Sequence, residues 1–141
     1  MKKAESSVVF GSSVDKVWGK VTDHQEISWR SDLSDCKADK GGFTEYSTNG
    51  TATRFTVTMC IPHQRYEMDL ENENLSGHWI GVFQMENGRV RVTFTEEITL
   101  KTKNPFFRLF AGSYLKKQQK RYFRDLKKAL GEEWEDSVQR K

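Results

Sequence analysis

Glu96 is the residue of this sequence best placed to do chemistry. In "VRVTFTEEITL" the apolar side chains Val90, Val92, Phe94, Ile98 and Leu100 recur at every second position. Glu96 falls in the same phase, so strict strand alternation turns its carboxylate toward the apolar side. A carboxyl group against an apolar pocket keeps its proton above the ordinary range and serves as an acid, a base or a polar anchor. That makes Glu96 the candidate catalytic residue. The competing reading is a β-bulge at Glu96-Glu97 that flips one of the pair outward, or a place near a solvated strand end.

Trp29 and Arg30 form a second candidate. A guanidinium holds a ligand carboxylate or phosphate, or else pairs with a nearby acid, here Asp32 or Asp35. Trp29 reads as a gate or lining residue, or as plain core. His24, His63 and His78 have no metal-ligand spacing to Cys, Asp or Glu, so no metal is expected; His78 lies on the face opposite Trp79 and reads as structural. The chain contains no GxGxxG, GxxxxGKS/T, GxSxG or HExxH pattern, which removes the usual nucleotide and hydrolase readings. No cofactor is implied. Cys36 and Cys60 form no CxxC pair and read as two reduced thiols of a cytoplasmic protein.

The elements that position these groups follow from periodicity. "SSVVFGSS" alternates briefly and reads as a strand. Val14, Val17, Trp18 and Val21 then form one helical stripe, with Ser12 and Asp15 in the form of a capping box. "DHQEISWRSDL" reads as a second short helical turn. From there to Leu100 the period is two. Asn49-Gly50 and Asn87-Gly88 are two-residue hairpin signals. Phe55, Val57, Met59 and Ile61 share one face; so do Tyr66, Met68 and Leu70, and so do Trp79, Phe83 and Met85. About six antiparallel strands are expected, apolar on one side and polar on the other.

The last element is "NPFFRLFAGSYLKKQQKRYFRDLKKALG", with Asn104 as cap, Pro105 as first helical residue and Gly131 as terminator. Its first three turns carry Phe106, Phe107, Leu109, Phe110, Tyr114 and Leu115 around more than one face. One sheet face cannot cover them all, so the surplus rings must meet a cavity, a partner or a membrane. The order β, α, short α, strands and long helix defines one α+β domain over residues 1–131, followed by a charged tail, 132–141.

Composition limits the partners. The chain of 141 residues has a net charge of +3. Residues 101–128 carry ten Lys or Arg against one acid, Asp125, and the remainder is net acidic. The basic helix therefore lies against an acidic body, which argues against nucleic acid. No apolar run reaches the ~18 residues of a transmembrane span.

The succession of "VVFGSSVDKVWGKVTD", "ISWRSDL", "VRVTFTEEITL" and "NPFFRLFAGSYLKKQQKRYFRDLKKAL" resembles the START-like (SRPBCC) superfamily, which includes the polyketide cyclase/dehydrase and lipid-transport family. The resemblance implies the helix-grip fold, a curved antiparallel β-sheet wrapped around a long C-terminal helix with an apolar cavity between them. It implies an apolar small-molecule ligand: a lipid, isoprenoid or polyketide. On this basis Trp29 and Arg30 stand at the cavity mouth. Phe55, Val57, Met59, Tyr66 and Met68 would line one wall, Trp79, Phe83 and Phe94 another, and Phe107, Phe110 and Tyr114 the lid. The expected protein is a non-catalytic carrier or sensor, a monomer or weak homodimer. The alternatives are a cyclase or dehydratase using Glu96 or a cavity Tyr, an interaction module acting through the basic helix face, and a peripheral membrane contact.

Overall fold

A computed structural model describes residues 1–134. Seven antiparallel strands form one sheet in the order β1-β7-β6-β5-β4-β3-β2. They are β1 (Lys2–Phe10), β2 (Leu33–Asp39), β3 (Gly42–Ser47), β4 (Ala52–Ile61), β5 (Arg65–Glu71), β6 (Leu75–Glu86) and β7 (Arg89–Leu100). Helix α1 (Val14–Thr22) follows β1, and α2 (Pro105–Ala129) ends the fold. The sheet curves around α2, as expected.

Local chemistry explains the boundaries. Asn104 caps α2 by accepting from the amides of Phe106 and Phe107, Pro105 occupies the first turn, and Gly131 ends the helix at φ 73°. At the tip of β6 and β7, Asn87 (φ 52°) and Gly88 (φ 78°) both adopt the left-handed conformation of a type I′ hairpin. The Asn49-Gly50 connection is longer than expected. Gly50 donates to Ser47 O at 2.9 Å and Ser47 to Thr51 O at 2.9 Å, a three-residue loop with Gly50 left-handed at φ 92°.

Three further expectations are corrected. Ser13, not Ser12, caps α1 by accepting from Lys16 N. Ser12 is instead held by Glu132, which accepts from Ser12 Oγ at 2.6 Å, Ser12 N at 3.0 Å and Gly11 N at 2.8 Å. The start of the charged tail is therefore tied to the β1–α1 corner; residues 135–141 lie outside the described residues. The segment "DHQEISWRSDL" makes turns rather than a helix. The polar run "LSDCKAD" after it, which has almost no apolar alternation, is the edge strand β2.

The core lies between the sheet and α2. Phe123 and Leu126 are fully buried, and Phe123 stacks on Phe94 at 4.4 Å and meets Phe10 at 6.1 Å. Buried Gln119 ties the helix to the sheet. Its Nε2 donates to Ala4 O at 3.0 Å, and its Oε1 accepts from Ser6 Oγ at 2.7 Å. Lys127 donates from a buried Nζ to Val9 O at 2.6 Å. These anchors lie along the C-terminal half of α2 and β1. Ala111 and Leu115 are buried in the N-terminal half of the helix, and Phe107, Tyr114 and Leu115 of that half border a space between the helix and the sheet.

Candidate functional site

That space is a cavity of about 330 Å³. Its walls come from the inner faces of β3 to β7, the loop after α1, and the side of α2 bearing Phe107, Tyr114 and Tyr122. Trp79 and Phe94 form the floor with ring centroids 4.7 Å apart. Phe43 and Phe55 stack at 4.9 Å on the opposite wall. Gly81 makes room for Trp79: a Cβ at this position would come within 2.7 Å of the indole ring. Ser47, Asn49, Thr51, Asn72 and Asn74, at strand ends and connections, add polar groups to the lining.

Glu96 points into this cavity. β7 pairs with β1 and β6 without a register break, so no bulge intervenes, and Glu96 sits opposite Ala4 and Trp79. Its carboxyl makes no hydrogen bond or ion pair among the described residues. Burial pushes its pKa up to about 7, and the negative charge of Glu45 adds to the shift. β3 and β7 are four strands apart in the sheet order; the curvature brings their inner faces around a common space.

Arg30 lies in the wall. It donates to Asp32 through two nitrogens, Nε to Oδ1 and Nη2 to Oδ2, both at 3.0 Å, and through Nη1 to Glu45 Oε2 at 3.2 Å. Its guanidinium lies 4.5 Å from the Tyr122 ring centroid and 5.7 Å from that of Trp29. Burial opposes its charge, but Glu45, Tyr122 and Asp32 outweigh burial and raise its pKa. Burial also raises Glu45, and Arg30 reverses this only in part. Asp32 is the expected partner; Asp35 is not used, and the cluster is buried rather than on the surface.

His24, read from sequence only as lacking metal-ligand spacing, is part of the wall. Its ring stacks on Phe43 at 3.5 Å, and Nε2 lies 2.8 Å from the Tyr66 hydroxyl. Burial first, then Arg30, lowers its pKa to about 4, so the imidazole is neutral near neutral pH. No group of His, Cys, Asp and Glu among the described residues is arranged to hold a metal. His78 bonds to Glu67 and Asp69 on the outer face, at 2.7 Å each. Both cysteines are free, and Cys60 is exposed. Burial, with Glu45, pushes the Cys36 thiol up to about 11, which leaves it unreactive.

Of the proposed lining, Arg30, Phe55, Met68, Trp79, Phe94, Phe107 and Tyr114 reach the cavity. Six do not. Met59 is turned outward because a β-bulge between Val57 and Met59 reverses the phase of β4, pairing Met59 with Glu67 and leaving it 41% exposed. Val57, just before the bulge, packs on the core beyond the cavity. Tyr66 is buried with its hydroxyl at His24, and burial pushes that hydroxyl up to about 12. Phe83 packs edge-on against Trp18 at 5.0 Å under α1. Trp29 meets Tyr122 edge-on at 5.2 Å behind the wall. Phe110 is 58% exposed and is not among the cavity-lining residues.

The basic face of α2 makes internal contacts. Arg121 donates to Ser31 Oγ and Ser31 O at 2.8 Å each, Arg124 stacks on Trp134, and Lys116 donates to Glu5 O. Phe106, Leu109 and Phe110 remain exposed beside it. No helix among the described residues is long and apolar enough to cross a membrane.

With this geometry, the family match is decisive: a model described as polyketide cyclase/dehydrase and lipid transport covers residues 1–131. The chain belongs to that family. The fold matches a conserved protein from Geobacillus kaustophilus with a TM-score of 0.79 at 14% identity, covering 92% of this chain and 95% of that one. Protein MLL2253 from Mesorhizobium loti gives 0.76 at 13% identity, with 92% and 97% covered. A START superfamily protein from Mycobacterium smegmatis gives 0.68 at 12% identity, with 92% and 94% covered. At these identities the likeness concerns the fold alone. No curated protein matches the chain. Family membership is compatible with apolar-ligand binding and with cyclase or dehydrase chemistry.

Glu96 also gives the family cavity a stability signature. Its folded pKa is about 7 against an ordinary 4.5. Between these values the folded state keeps a proton that the unfolded chain releases, so stability falls as pH rises through the window and the cost is complete above it. Glu96→Gln should therefore stabilise the fold by about 2–3 kcal/mol near pH 8 and by almost nothing near pH 4. Thermal melts of both proteins across that range check this; a pH-independent difference would place Glu96 in solvent.

Proposed function

We propose that the protein binds and carries an apolar small molecule, of lipid, isoprenoid or polyketide type, in the cavity beneath α2. The observation that carries this reading is the space itself: about 330 Å³ walled by rings in an otherwise packed interior. Binding would be driven mainly by area. Burying roughly 300 Å² of apolar surface contributes about 7 kcal/mol before association costs.

A second reading, acid–base catalysis at Glu96, is favoured by one observation. A carboxyl poised near pH 7 faces the cavity without a partner, as a group exchanging a proton with a substrate would require. Native mass spectrometry of the purified protein, followed by solvent extraction, tests both readings. A co-purifying apolar molecule recovered unchanged supports carriage. Conversion of that molecule by the wild type but not by Glu96→Gln supports catalysis. A ligand-free mass, together with no binding of any apolar probe, would sink the cavity reading.

A further inference from the structure

We infer that the ligand of this cavity carries a protonated amine, which Glu96 receives as its counter-ion against the aromatic walls. This rests on the binding reading above and adds the ligand's chemical class.

The first support is a count of buried charge. Among the described residues, Asp32, Glu45 and Glu96 bring three carboxyls to the cavity wall, and Arg30 brings the single cation. Asp32 occupies two edges of that guanidinium and Glu45 a third. No donor of Arg30 turns to Glu96, and no lysine lines the cavity. An anionic headgroup would meet a guanidinium already neutralised and two more carboxyls. A cationic one supplies what the wall lacks.

The second support is the kind of apolar surface. Phe43, Phe55, Trp79, Phe94 and Tyr122 contribute rings to the wall beside the aliphatic Val21, Leu70, Leu75 and Leu115, so aromatic surface lies within reach of a group held at Glu96. Aromatic faces attract cations through their quadrupole, and carboxylates close the cage. Burial is the main cause that raises the pKa values of both Glu96 and Glu45; Arg30 offsets it in part at Glu45, and no cation offsets it at Glu96.

The third support is the state of Glu96 itself. A buried carboxyl normally has a hydrogen-bonding partner, and every other acid in this wall has one. Glu96 has no partner among the described residues and lines the cavity, where an ammonium donor would meet it.

The other titratable groups on the wall are His24 after α1, Arg30 and Asp32 on the following loop, Glu45 on β3, and Tyr114 and Tyr122 on α2. His24 stays neutral above about pH 4. Glu96, with its pKa near 7, therefore changes charge between about pH 5 and pH 8, while an alkylamine stays protonated to about pH 10.

Calorimetric titration of the whole protein with phenylbutylamine, phenylbutanol and phenylbutyric acid tests this, since the three share one apolar body. The amine should bind at least about tenfold more tightly than the alcohol near pH 8, with the acid weakest. Its affinity should rise from about pH 5 to pH 8, with proton release measured in buffers of different ionisation enthalpy. Glu96→Gln should bring the amine to the level of the alcohol and abolish the pH dependence of its binding. If the alcohol or acid binds as well as the amine, the cavity reading stands and the amine inference fails. If none of the three binds, both fail.

Discussion

Replacing Arg30 with methionine is expected to destabilise the protein by about 3–5 kcal/mol, which lowers Tm by about 10 °C or more. The side chain is large and buried, and methionine fills much of its volume, so the loss is not mainly one of packing. It comes from Asp32 and Glu45, which lose the cation that makes their burial tolerable. Among the described residues Glu45 accepts from Arg30 alone, at 3.2 Å. The partner rings, Tyr122 at 4.5 Å and Trp29 at 5.7 Å, lose a cation–π contact as well. Removing one charge of a buried cluster costs far more than removing all of it. Arg30→Met combined with Glu45→Gln should therefore recover much of the loss, and acid should rescue the single variant by protonating Glu45. Denaturant melts of the single and double variants measure the coupling. A single-variant loss below about 1 kcal/mol would mean that water already solvates the cluster.

That cluster shows where sequence reasoning reached the site and where it stopped. The order of the elements was legible because its signals are local, and the resemblance to the START-like superfamily implied the helix-grip arrangement. Period-two runs, an Asn-Gly turn and an Asn-Pro helix start each depend on a few adjacent residues. The inward aim of Glu96 was legible for the same reason, since alternation holds along an unbroken strand. Met59 failed because a single bulge, invisible in a run of good strand formers, reverses the phase of every later residue in β4. β2 was missed because an edge strand needs no apolar face to be paired. Glu45 and His24 gave no signal at all. Their place in the wall depends on curvature that brings β3 around toward β7, and no local pattern encodes that. Phe106, Phe110 and Tyr114 were indistinguishable as rings on one helix. Only the packing of α2 over the curved sheet separates Tyr114, which lines the cavity, from Phe110, which does not.

Burial along α2 likewise sets the tolerance of each position to substitution, and Phe123→Ala carries the second large effect. Phe123 is fully buried and stacks on Phe94 at 4.4 Å, while Phe94 in turn meets Trp79 at 4.7 Å and Tyr122 at 5.1 Å. Truncation leaves a void beside residues pinned from both sides, by the β1 anchors of Gln119 and Lys127, so the structure cannot close over it. The expected loss is about 3–5 kcal/mol. Phe106→Ala, at a residue 72% exposed on the same helix, should change stability by no more than about 0.5 kcal/mol. Urea melts of the two variants separate the two positions. Equal losses would mean that the first turns of α2 are packed against something as firm as the sheet. Because Phe94 is both the neighbour of Phe123 and the floor of the cavity, Phe123→Ala should also weaken the binding of any apolar probe that wild-type protein retains. Phe106→Ala should leave that binding intact. Stability and ligand binding thus converge on one chain of rings running from Phe10 through Phe123 and Phe94 to Trp79, and Glu96 stands opposite Trp79 at its end.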